Sequence, residues 1–270
     1  MKNSPKVIRI SALLTLCLLS FSTSVQAQRL MAVSDNLLKN GTAYPVTWKG
    51  LSTFPKFQFH TYQVISGKTG WTKSKYNSKL FSRLETASSK YNGSYIMTSQ
   101  AGDSTIVNFS RNLDYKGLES RGIVIEGPRG SLTLGSDAEV LESTDNYVAL
   151  METGPIPSVW RLVVTQSFGS QAGPSFFGWL TDGDRRIDIK SVYDYQEPGK
   201  KGAMELMMGS EFWHKGFEFF EDARSIGAVQ LGPNKKQFVI WLANDLDPLT
   251  ELVVASSCIG LLRDFMIVLQ

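Results

Sequence analysis

The chain of 270 residues is poor in the side chains that most chemistry requires. It has two histidines, His60 and His214, and two cysteines, Cys17 and Cys258. Neither histidine has a second ligand at the i±2 or i±4 spacing of a zinc site. A G-x-S-x-G elbow, a P-loop and a dinucleotide glycine fingerprint are also missing, which removes the commonest nucleophile and phosphate-cradling chemistries. No metal or cofactor is expected, and the sequence points to a binding protein rather than an enzyme.

A hydrophobic run long enough to cross a bilayer is missing too. The most apolar segment, near the end of the chain, is bracketed by Glu251 and by Arg263-Asp264. The eleven residues between them include Ser256, Ser257 and Gly260. A spanning helix needs about 20 apolar residues, and an Arg-Asp pair in hydrocarbon costs several kcal/mol. A helix that is apolar all round but too short to span is a buried core helix. It is expected at about 248–268, with Asp247 as N-cap and Pro248 at the first helical position.

At the other end, Lys2, Lys6 and Arg9 precede an apolar run, and Val25-Gln26-Ala27 fits a cleavage site. Residues 1–27 therefore read as a signal peptide. The protein is expected to be exported, to the periplasm, the outer membrane or the cell exterior, which argues against a nucleic-acid partner. Without the leader the net charge falls from +3 to 0 and Cys258 is left alone, so no intramolecular disulfide forms. The balance is uneven: residues 28–121 carry 13 Lys and Arg against 5 Asp and Glu, and residues 122–270 carry 12 against 20. Such a split suggests a face that attracts anions.

What the chain does have is strands. Turn signals recur at roughly 8–12-residue spacing, and no Pro- or Ser-rich linker divides residues 28–270, which reads as one mainly β domain. Residues 57–65 are expected as one half-buried strand with His60 inside it. Asn92-Gly93 is expected to turn a hairpin between 84–91 and 94–100. Turns are also expected at Gly127-Pro128-Arg129-Gly130 and at Asp182-Gly183, and residues 29–40 as a short amphipathic helix or a docking arm. About a dozen antiparallel strands must close to remove their edges. A barrel that wide is not filled by its own side chains. The terminal helix is the element suited to fill it.

Asp245-Leu246-Asp247, the small residues Ala255-Ser256-Ser257-Cys258 and the close Leu262-Arg263-Asp264-Phe265-Met266 resemble the end of the phospholipid scramblases. Ala223-Arg224-Ser225-Ile226-Gly227-Ala228-Val229 resembles the strand that precedes that helix by two. Over residues 223–266 the chain is similar to the tubby C-terminal-like superfamily, which also includes the tubby and LURP-one-related proteins. The resemblance implies a closed barrel of about twelve strands around a central hydrophobic helix, and it implies lipid as a ligand class. Calcium activation is not implied, because Gly232-Pro233-Asn234-Lys235-Lys236-Gln237 holds no carboxylate.

Two candidate sites stand out. Lys68, Lys73, Lys75, Lys79 and Arg83 are interleaved with Trp71 and Tyr76, a mixture suited to an anionic lipid headgroup or membrane surface. Asp182, Asp184 and Asp188 with nearby Trp179 form the best carboxylate cluster, the alternative being a carbohydrate-binding or carbohydrate-acting site. Turn geometry alone also favours Asp beside Gly183. A purely structural barrel that binds a protein partner, of unspecified identity, is the third reading.

Overall fold

The computed structural model describes residues 29–50, 54–78, 84–118, 121–127, 130–136, 139–154, 157–169, 173–196, 215–232 and 237–268. The expected signal peptide, His214, Lys79 and Arg83 lie outside the described residues. Helix α1 (Asp35–Asn40) leads into β1 (Gly41–Pro45), β2 (Thr47–Lys49), β3 (Lys56–Phe59), β4 (Tyr62–Thr69) and β5 (Lys73–Ser78). The long strands β6 (Leu84–Ser99) and β7 (Ser104–Leu118) follow, then the separate hairpin β8 (Arg121–Gly127) and β9 (Gly130–Ser136). The sheet continues through β10 (Glu139–Gly154), β11 (Ser158–Gly169), β12 (Gly173–Thr181), β13 (Arg186–Val192), β14 (Gly216–Glu221), β15 (Arg224–Gln230) and β16 (Val239–Ala243), and the chain ends in α2 (Pro248–Val268).

The sheet runs β1-β16-β15-β14-β13-β12-β11-β10-β7-β6-β4-β3-β2, with β5 added alongside β6. The two ends of this thirteen-strand path, β1 and β2, are separated in sequence only by Val46, whose N–H donates to the Phe238 carbonyl at 3.0 Å. The chain itself crosses the seam, so the barrel is nearly closed. Inward residues alternate with outward ones, as in β13, where Ile187 and Ile189 are buried and Arg186, Asp188 and Lys190 exposed. This apolar-in, polar-out order is the reverse of a barrel facing lipid.

α2 fills the interior, and every residue from 252 to 263 is buried. Asp247 accepts the Thr250 N–H at 3.0 Å, satisfying an orphan donor of the first turn. The small side chains Ala255, Ser256, Ser257 and Gly260 let the helix axis approach Tyr95 and Tyr147. Tyr95 donates to the Ser256 carbonyl at 2.6 Å, and a Cβ on Gly260 would sit 2.6 Å from the Tyr147 hydroxyl. β14, β15 and β16 are buried on both faces. α2 lies on the inside, and residues 29–40 lie on the outside, where Met31, Val33 and Leu37 pack on Ala228, Val239 and Trp241. Those N-terminal residues are thus both a short helix and a docking arm.

Two local expectations are corrected. Asn92-Gly93 turns no hairpin: β6 runs straight through it, because Gly93 provides clearance inside a strand. A Cβ there would lie 2.5 Å from both the Lys68 carbonyl and the Phe109 ring. Residues 57–65 are two strands, with His60 and Thr61 forming the tight turn between Phe59 and its partner Tyr62. His60 has φ +45° and stacks on Tyr44 at 4.2 Å. The sequence carries the trace of this turn as a change of phase, from inward Phe57 and Phe59 to inward Tyr62 and Val64.

The close approach at Gly260 generates a test. Ala normally favours a helix over Gly by about 1 kcal/mol. Here Gly260→Ala is expected to destabilise by ~1–3 kcal/mol in urea unfolding, because overpacking outweighs propensity. Adding Tyr147→Phe, which removes a buried hydroxyl that has no hydrogen-bond partner among the described residues, should restore most of the loss.

Candidate functional site

β4 and β5 lie end to end along the same edge of β6: β4 pairs with residues 93–99 and β5 with residues 85–90. The line breaks at Gly70-Trp71-Thr72. There the Gly70 N–H donates to the Asn92 carbonyl at 2.7 Å. A Cβ on Gly70 would meet the Asn92 side-chain oxygen at 2.3 Å, so the chain hugs β6 at this point. The next residue, Trp71, is 93 % exposed, the most exposed of the large hydrophobic residues described.

The register places the cations together. Lys73 is directly opposite Lys90, Lys75 opposite Ser88, and Lys68 opposite Ser94. Directly opposed residues share a face, so Lys68, Lys73, Lys75 and Lys90 all project, exposed, from the outer side of the sheet. Tyr76 points to the other face, where its hydroxyl donates to Glu85 at 2.8 Å. Lysines on an edge strand block pairing with another chain, which accounts for Lys73 and Lys75. It accounts neither for the exposed indole nor for Lys73 facing Lys90, since like charges directly opposed destabilise a sheet. An anion between them removes that cost. Lys68, Lys73 and Lys75 therefore share a face, Lys90 joins them, Trp71 lies exposed in the break between β4 and β5, and Tyr76 is turned away.

The acidic cluster has a different geometry. The Asp182 carboxylate accepts the N–H groups of Asp184 at 3.0 Å and Arg185 at 2.8 Å, closing the turn around Gly183, whose φ is +110°. Asp184 is exposed. Asp188 pairs with Arg186 at 2.8 Å on the outer face, directly across from Trp179. Trp179 and Asp188 are thus neighbours, while Asp182 faces its own backbone. Among the described residues no group of three His, Cys, Asp or Glu is placed to hold a metal ion. Cys258 is buried within α2, where burial pushes its thiol up.

One constellation was not anticipated from the sequence. At the C-terminal end of α2, Asp264 accepts a hydrogen bond from the Tyr91 hydroxyl and lies 3.3 Å from the Arg111 guanidinium. Arg111, from β7, also donates to Asp145 of β10, through Nε at 2.6 Å and through a second nitrogen. Burial acts to lower the Arg111 pKa, but its bonds to Asp145 and the Asp264 charge override it and raise it. Arg263 donates to Thr69 at 3.2 Å and lies over the Phe54 ring. These charges hold the helix end to four strands, β4, β6, β7 and β10. The readable sign was Arg111 at an inward position of an alternating strand, after Val107 and Phe109.

Burial pushes the Asp264 carboxyl up to about 6 despite its cationic neighbour. A native carboxyl that binds its proton more tightly than the unfolded chain stabilises at low pH. That contribution is complete below the unfolded pKa near 4 and is lost as pH rises through about 6. Compared across pH 4 to 7, Asp264→Asn should therefore gain ~2–3 kcal/mol relative to the parent protein as the pH rises; thermal unfolding of both at each pH checks this. Arg111→Met, which strands two half-buried carboxylates, should cost ~2–4 kcal/mol.

Comparison of the chain with protein-family models, with curated proteins and with solved structures finds no match.

Proposed function

We propose that this is an exported, non-catalytic binding protein, a tubby-like barrel whose outer face at β4–β6 docks on an anionic lipid surface. The observation that carries this reading is the opposed Lys73–Lys90 pair on one face, with the exposed indole of Trp71 two residues before Lys73 in the chain. Trp favours the interface between water and hydrocarbon, because its ring is apolar and its N–H polar. Each lysine near an anionic surface contributes about 1 kcal/mol. Lys68, Lys73, Lys75 and Lys90 together supply about 4 kcal/mol, a millimolar affinity on their own. Docking is therefore reversible, sensitive to salt and strengthened by the indole.

The arrangement of the sheet around a C-terminal helix supports the superfamily reading, and the resemblance of residues 245–266 to the scramblase end adds the local likeness. The helix itself supplies no route into the membrane. No helix among the described residues is long and apolar enough to cross one.

Flotation with phosphatidylcholine vesicles, with and without phosphatidylglycerol, tests the proposal. The protein should float with the anionic vesicles and be released near 1 M salt, where the Debye length is about 3 Å. The double variant Lys73→Glu, Lys90→Glu should lower binding by at least about ten-fold, and Trp71→Ala should weaken it without changing its salt dependence. Equal binding to neutral and anionic vesicles contradicts the proposal.

A further inference from the structure

Lys68 borders a groove of about 490 Å³ on the outer face, lined also by Asn92, Ser94, Asn108, Ser110, Val148 and Leu150. Strand register orders these side chains into rows. One row reads Lys68, Ser94, Asn108, Leu150 across β4, β6, β7 and β10. The next reads Asn92, Ser110, Val148 behind Gly70. The third reads Lys73, Lys90, Asn112, Asn146 across β5, β6, β7 and β10. Along β6 the first and third rows are four residues apart, about 13 Å. A band of amides and hydroxyls thus lies between two cationic corners, with Val148 and Leu150 as an apolar end.

A plain phosphate surface needs only the cations. Amides and hydroxyls in two adjacent rows are the partners of a ligand with many hydroxyl groups. An apolar patch beside them suits the C–H face of a sugar ring, and pockets of this size recognise small ligands through a few placed polar groups. The cations at both ends require that the ligand carry acid groups.

We infer that the headgroup recognised at this site is an acidic saccharide, its hydroxyls on Asn92, Ser94, Asn108 and Ser110 and its carboxylates or phosphates at Lys68 and at the Lys73–Lys90 pair. This rests on the reading that the lysines meet an anionic lipid surface and adds the class of lipid. The same chemistry is offered by a free acidic oligosaccharide.

Three probes separate these cases: vesicles containing a glucuronosyl diacylglycerol, vesicles of equal charge containing phosphatidylglycerol, and soluble tetragalacturonate. The glycolipid vesicles should bind at least about ten-fold more tightly than the phosphatidylglycerol vesicles. The double variant Asn92→Ala, Asn108→Ala, whose substitutions lie on the solvent face, should erase that preference while phosphatidylglycerol binding persists. Where tetragalacturonate binds, it should shift the side-chain amide signals of Asn92 and Asn108 saturably, and maltotetraose should not. If glycolipid binds tightly and tetragalacturonate does not, the lipid is the source; if both bind, the saccharide suffices. Equal binding of the two charged vesicles, or an unchanged preference in the double variant with its fold intact by circular dichroism, overturns the inference and leaves the anionic-surface reading standing. Loss of both charged vesicles relative to neutral ones, with saturable tetragalacturonate shifts retained, overturns the anionic-surface reading and leaves the saccharide chemistry standing.

Discussion

A sheet of thirteen strands that curls until it nearly closes encloses more space than its own inward side chains can occupy. Left empty or wet, that space would forfeit the burial that holds a domain of this size together. α2 resolves the problem by entering the barrel whole, and most other features follow from its presence. The helix is apolar on every side because it has no solvent face. Its sequence turns small at 255–258 and 260 because Tyr95 and Tyr147 press on it from the wall. Each fully buried side chain of Leu or Phe size contributes roughly 1.5–3 kcal/mol, so helix and wall stabilise one another and neither is expected to persist alone.

A helix inside a barrel has two ends to satisfy, and the chain treats them differently. At the start, the Asp247 cap uses local hydrogen bonds. At the close, Asp264 and Arg263 are carried into the wall and matched by Arg111, Tyr91 and Thr69. Buried ion pairs of this kind add little net stability over apolar packing, but breaking one is costly. Their value here is registry, since a helix that is apolar all round has no preferred rotation or depth in an apolar tube. The Asp264–Arg111–Asp145 chain fixes both, and it does so beside the strands that form the candidate surface.

Periodicity and composition made the architecture readable, because closing many antiparallel strands and housing a charge-bracketed apolar helix have one joint solution. The failures were local. Asn92-Gly93 has hairpin composition, yet the need was for clearance beneath Phe109, and only the neighbouring strand reveals that. His60 and Thr61 form a turn without Gly, Asn or Pro, visible only as a change of phase in the inward residues. Of the candidate sites, the interleaving of lysine with aromatics was legible. The pairing of Lys73 with Lys90, the rows of Asn and Ser, and the inward turn of Tyr76 depend on register, which the sequence does not display.

The surface and the core thus divide the work: α2 supplies rigidity, and the edge where β4 gives way to β5 presents charge and an indole without disturbing it. Hydrogen–deuterium exchange with and without anionic vesicles tests this division most directly. Amides of residues 252–263 are expected to exchange only through global unfolding in both states, and vesicles to protect residues 68–78 and 84–94. Fast exchange in α2, or protection of α2 appearing only when lipid is added, would contradict it.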